Sequence, residues 1–158
     1  LGALTPLEYY DPGLWARTLQ VDLNAPFLLL QACMPALRRS ADASVVLSTA
    51  DVGRRGRAFW GAYAVANAGL ECLVEVLAAE LATNTAVRVN SLDPGPAQTW
   101  LRRSAYPAEN PAALPGPEAV TPAYLWLLGP DSRPHTGKGF SAQGQASAAS
   151  RQETPPGN

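Results

Sequence analysis

Histidine and methionine occur once each in these 158 residues, and cysteine twice. With a single His and no Cys-X-X-Cys pair, no metal-ligand spacing exists, and no metal site is expected. Cys33 and Cys72 sit singly inside helical patterns. This predicts buried free thiols and a reducing, cytoplasmic setting. Charge of one sign is also missing: 12 Lys and Arg stand against 13 Asp and Glu, for a net charge of −1. The basic residues pair up only as Arg38-Arg39, Arg54-Arg55 and Arg102-Arg103. That excludes the clustered basic footprint of a nucleic-acid groove. No apolar run reaches the ~18 residues of a membrane span, and no secretory signal is visible. The first residue is Leu1, not Met, so a processed product or a piece of a longer chain is expected.

Apolar residues make up 47% of the chain, enough for a single domain with a sizeable core. The dominant stretch is Trp60–Leu81. Leu70, Leu73, Val74, Leu77 and Leu81 follow the three-and-four spacing of one buried helical stripe. Ala62, Ala66 and Gly69 leave part of that surface bare, open to another helix or a ligand. Tyr63 and Asn67 are four residues apart and share a face.

Before this helix, Asp11-Pro12 reads as an N-cap followed by Pro at the first helical position. The helix so started runs to about Leu37, kinked or shortened by Pro26 and Pro35. Ser44–Ser48 reads as a strand buried on both faces, and Thr49–Phe59 as a loop. After the long helix come a strand at Ala86–Leu92, the turn Asp93-Pro94-Gly95, and a long Ala- and Pro-rich connection, Pro96–Pro117. Glu118–Leu128 reads as a short helix that buries Tyr124, Leu125, Trp126 and Leu128. Gly139–Gln143 reads as a last strand, and Gln145–Asn158 as a disordered tail. Strands alternating with helices in this way predict an α/β fold, half of a doubly wound parallel sheet. Among other polar residues, His135 reads as a turn residue, and Glu71, Glu75 and Glu80 as solvated helix positions.

Three stretches, VDLNAPFLLLQACMPAL, SVVLSTADVGRRGRAFWGAYAVANAGLECL and VRVNSLDPGPAQT, resemble in order and spacing the short-chain dehydrogenase/reductase family. The WGAY context and PAYLWLLGPDSRPHTGKGF look most like its bacterial YciK-type branch. The resemblance covers residues 1–144. It implies a Rossmann-like domain that moves a hydride between NAD or NADP and a small carbonyl or alcohol, using Asn, Ser, Tyr and Lys.

Position by position, the family Tyr, the general acid/base, falls on Tyr63. The Lys four residues later, which lowers the Tyr pKa and binds the nicotinamide ribose, is replaced by Asn67. Asn67 can still hydrogen-bond a hydroxyl but brings no charge. The family Ser, thirteen positions before the Tyr, falls on Ala50. Ser48 lies two residues back on the same strand face, and Thr49 would point to the opposite one. The family Asn falls on Asp22, with Asn24 nearby. The block Pro94, Gly95 and Thr99 fits the family's nicotinamide-side PGxxxT. No GxxxGxG phosphate loop occurs, and the matched region is the second half of a full-length member.

Two functions are therefore expected to compete. One is a fragment or degenerate member of this oxidoreductase family, catalytically impaired as it stands. The other is a non-catalytic dimerisation or binding module. On either reading, homo-oligomers are expected through helices 11–37 and 60–81, and the isolated chain is not expected to bind NAD(P) usefully, for want of a phosphate loop.

Overall fold

The computed structural model describes residues 1–143, together with the backbone of a two-residue strand at Gln152–Glu153. Apart from that strand, the tail expected at 145–158 lies outside the described residues. After a 3-10 turn at Leu7–Tyr9, helix α1 (Pro12–Leu19) begins as the Asp-Pro pair predicts. The Leu14 N–H donates to Asp11 Oδ1 at 2.6 Å, and Pro12 occupies the first turn.

The helix does not break at Pro26. It passes through one π-helical turn, Gln20–Asn24, directly into α2 (Ala25–Leu37). Pro26 has no N–H to donate, and its ring would crowd the carbonyl of Asp22 in a regular α-helix. The wider turn supplies the room. Pro35 is held inside α2 as well.

Strands β1 (Ala43–Ser48), β2 (Val87–Asp93), β3 (Gly139–Ser141) and β4 (Gln152–Glu153) pair in that order, all parallel. Val45 lies opposite Val89, and Leu92 opposite Phe140. The period of two along β1 splits its side chains between two layers. Val45 and Leu47 join Met34, Leu37, Val74, Leu77 and Leu81 beneath α4 (Gly61–Leu81). Val46 joins Leu92, Leu127 and Phe140 beneath α6 (Thr121–Leu128). Each such side chain fully buried is worth ~1.5–3 kcal/mol relative to exposure.

β1 runs along the edge of the described sheet, so Val45 and Val46 are half-buried, not covered on both faces as expected. The strand with both faces covered is β2, buried at all seven positions. Within α4, Leu70, Val74 and Leu81 form the predicted stripe. The bare positions are used inside the chain: Ala62 and Ala66 are fully buried, and a Cβ on Gly69 would meet Leu23 at 2.9 Å.

α4, with 21 residues and a mean hydropathy of 1.4, is long and apolar enough to cross a membrane by length and composition alone, although Asn67, Glu71, Glu75 and Glu80 interrupt its apolar run. Its packing on β1 and β2, and the ion pair of its Glu71 with Arg54, make it the central helix of this sheet. The two cysteines are exposed rather than buried. Cys72 stands two residues from both Leu70 and Val74, about 200° around the helix from each, and so faces away from the sheet. Toward the C-terminus, the helix expected at Glu118–Leu128 is a 3-10 turn (Pro117–Val120) followed by α6. Ala123 and Leu127 are its buried residues, while Leu125 and Leu128 are exposed.

Candidate active site

Of the expected site residues, Ala50 and the Pro94-Gly95 turn follow the carboxyl ends of β1 and β2, where open α/β sheets place their ligand crevices. After β1, Ala50 is extended (φ −142°, ψ 154°) and precedes a short helix, α3 (Asp51–Arg54), inside the stretch expected to be loop. A Cβ on Gly53 would lie 2.6 Å from Asn67 Cβ, so only glycine lets α3 press onto α4 at this point. Asn67 is buried beneath it, at 4% exposure. Its Nδ2 donates to the Tyr63 carbonyl at 2.8 Å. The predicted pair thus shares a face, but the amide is spent on backbone.

Tyr63 is half-buried in the first turn of α4, with the Trp60 ring 5.9 Å from its own. Its pKa is raised above the usual 10, first by burial and then by the charge of Asp22, with smaller contributions from Asp93 and Asp51. Hydrogen bonding from Asn67 opposes this and does not cancel it. At neutral pH the phenol is a proton donor and not a phenolate.

Beyond β2, Gly95 takes φ 71°, and its N–H donates to Asp93 Oδ1 at 2.8 Å. Gln143 Nε2 donates to the carbonyls of Pro94 and Pro96, both at 2.9 Å, so the turn is clamped from the end of β3. A Cβ on Gly95 would meet the Gln143 side chain at 3.1 Å. Burial pushes the pKa of Asp93 up, against the opposing bond from Gly95. Thr99 caps α5 (Trp100–Ala105), its Oγ1 accepting from the Arg102 N–H at 3.1 Å.

The hydroxyls expected near Ala50, Ser48 and Thr49, are both bonded within the chain. Ser48 lies on the α6 side of the sheet, its Oγ 2.7 Å from Tyr124 Oη. Thr49 turns inward and donates to Glu71 Oε1 at 2.6 Å. Asp22 sits in the π turn, its Oδ2 buried without a hydrogen bond and 3.7 Å from the Leu1 amino group.

Glu71 is not a solvated residue. It accepts from Thr49, from Arg54 Nε at 2.9 Å and from Ser91 Oγ at 2.6 Å, while Arg54 Nη2 donates to the Phe140 carbonyl at 3.0 Å. One Glu–Arg pair therefore ties β1, α3, α4, β2 and β3 together under the site. Sequence reasoning missed it. The available signal was Ser91, a hydroxyl inside a fully buried strand, which needs a partner. Among the described residues, no three His, Cys, Asp or Glu side chains gather as a metal site.

A parallel sheet layered by helices, with a Tyr in the first turn of the long helix between β1 and β2 and a clamped Pro-Gly turn after β2, defines a Rossmann-like α/β architecture. Residues 5–144 match the family profile described as enoyl-(acyl carrier protein) reductase. The chain belongs to the short-chain dehydrogenase/reductase family. It is 43% identical over 143 residues to the uncharacterized oxidoreductase YciK of Escherichia coli K12, covering 90% of this chain and 56% of that one. A short chain dehydrogenase structure from Salmonella enterica serovar Typhi superposes with a TM-score of 0.88 at 45% identity, covering 90% of this chain and 58% of its own. One from Escherichia coli CFT073, complexed with NADPH, gives 0.87 at 44%, covering 90% and 59%. The chain spans a little over half the length of these relatives.

Proposed function

We propose that this chain carries the proton-transfer and nicotinamide-side half of an NAD(P)-dependent oxidoreductase acting on a small carbonyl or alcohol, with weakened chemistry. The observation that carries the reading is Tyr63, half-buried and protonated in the first turn of α4 and within electrostatic reach of Asp93, which begins the Pro94-Gly95 turn. The Pro94-Gly95 turn, fixed by the two Gln143 bonds, would offer its backbone to the nicotinamide side of the cofactor, with Thr99 following. The cofactor would supply the hydride. Tyr63 Oη would hold the substrate oxygen and give it a proton. No Ser stands at position 50 to share that oxygen, and no Lys at 67 lowers the phenol pKa. Among the described residues no glycine-rich loop offers a pyrophosphate site, so NAD(P) affinity in the isolated chain is weak.

The test supplies the preceding half from a relative and compares this sequence with Ala50→Ser/Asn67→Lys. General acid/base help is worth ~10²–10⁴-fold, so the double variant should gain at least about tenfold in carbonyl reduction. Silence of both proteins towards a broad panel of aldehydes and ketones, with either cofactor, rejects the reading. One observation favours a second reading, a non-catalytic dimerisation or binding module: the Tyr63 pKa is raised where a base would need it lowered. Self-association that survives Tyr63→Phe, with no turnover before or after Ala50→Ser/Asn67→Lys, would select it.

A further inference from the structure

We propose that Phe59, with Trp60 and Tyr106, forms the specificity wall of the Tyr63 site, and that it takes carbonyl or alcohol substrates whose non-reacting part is an apolar ring or chain. This rests on the hydride-transfer reading above. The Trp60 N–H donates to the Arg57 carbonyl at 3.3 Å and closes a four-residue turn, Arg57–Trp60. Phe59 is its third residue, with φ 73°, and no other non-glycine residue among those described has a positive φ. This is the position of a type II turn that favours Gly or Asn. A bulky side chain there is strained, and strain of this kind collects at ligand clamps. Packing does not offset it, because Phe59 is 56% exposed.

The same turn aims its neighbours at the site. The Trp60 ring lies 5.9 Å from that of Tyr63 and 5.8 Å from that of Tyr106. Arg57 donates to Tyr106 Oη at 3.2 Å and is also paired with Asp51. Arg102 stacks 3.8 Å from the Tyr106 ring centroid and makes two 2.7 Å bonds to Glu109. Both guanidinium charges are matched inside the wall. What remains to select a substrate is aromatic surface, one residue removed from a ring that touches Tyr63. An apolar group laid on Phe59 removes its exposed ring from water.

The experiment uses the full chain, with cyclohexanone, 2-decanone and dihydroxyacetone as probes read by aromatic-ring NMR, and the variants Phe59→Asn and Phe59→Gly. Relief of strain should raise the thermal midpoint of both variants by about 2–4 °C. Affinity for cyclohexanone and 2-decanone should fall about fivefold or more, the share of one aromatic contact, while dihydroxyacetone stays weak throughout. No ketone binding by the parent chain, unchanged affinity in the variants, or a lower midpoint with Phe59→Gly overturns the proposal. So does loss of self-association in Phe59→Asn with ketone affinity intact, which assigns the residue to a subunit interface. Phe59-dependent ketone binding without turnover, after the preceding half is supplied, rejects hydride transfer and leaves the wall standing.

Discussion

Asn67→Lys probes the electrostatics of the site without any cofactor. Tyr63 is held above its usual pKa of 10 by burial, reinforced by Asp22, Asp93 and Asp51. A lysine one helical turn away adds the opposite charge, and side chains at i and i+4 are neighbours. A cation within ~4–6 Å lowers a pKa by about 1–3, so Tyr63 should titrate below its parent value. The three carboxylates that raise the phenol also favour the new ammonium. Its stem must still clear Gly53, whose backbone packs against the Cβ of residue 67.

The sign for stability follows. In the parent chain the raised pKa favours folding below the unfolded value of about 10, and the contribution is lost as pH rises through the folded value. In the variant that contribution shrinks as the folded value falls towards the unfolded one. Tyrosine ring-carbon NMR between pH 7 and 12, with Tyr63→Phe assigning the resonance, reads both proteins. A folded Asn67→Lys chain in which Tyr63 titrates at or above the parent value would refute the reasoning. Asp22→Asn is the independent check and should also lower the pKa, by less than the lysine.

Three further outcomes are expected. Asp93→Asn keeps an oxygen for the Gly95 N–H and removes a charge whose burial raises its pKa, so it should stabilise the chain at pH 7. That gain should vanish below about pH 4, where Asp93 is protonated in folded and unfolded chains alike, as paired urea titrations can show. Glu71→Ala leaves Arg54 largely buried without its anion, and should cost on the order of 3 kcal/mol in urea unfolding, with Glu71→Leu/Arg54→Met recovering most of it; a loss under about 1 kcal/mol means the pair is structurally idle. Val65 and Val76 point outward from α4 at 47% and 46% exposure, so Val65→Asp/Val76→Asp should abolish self-association at ~100 µM in sedimentation, and an unchanged profile places any interface elsewhere.

The layer arrangement was legible in the sequence because it depends on periodicity. Val45, Leu47, Val74 and Leu81 had to meet, whatever the details. The position of Tyr63 was legible for the same reason, being fixed by the start of a long amphipathic helix. What stayed hidden is long-range and polar. Thr49, Arg54, Glu71 and Ser91 are 42 residues apart at the extremes and share no local pattern, so nothing before folding marks them as one network. The role of Ser48 turned on which side of β1 its hydroxyl faces, and Ser44 and Ser48 both bond to α6 there, through Leu127 and Tyr124. The cysteines were misjudged because Ala- and Leu-rich helices look buried all round when only one stripe is. Asn67 was judged by what its amide could offer a ligand, when the Tyr63 carbonyl one turn back was the nearer acceptor.

The π turn at Gln20–Asn24 sets the phase of everything that follows it on the same rod. Such a turn amounts to one residue inserted into a regular α-helix, and each residue advances the azimuth by about 100°. The wide turn absorbs that residue, so α2 keeps Met34 and Leu37 on the sheet as a straight helix one residue shorter would. Deleting one of these five positions would leave α2 facing the same way but press the Pro26 ring on the carbonyl four residues before it. A homologue that lacks the extra residue, and Pro26 with it, should therefore show one residue fewer between the apolar positions of α1 and those of α2, a difference visible by counting alone.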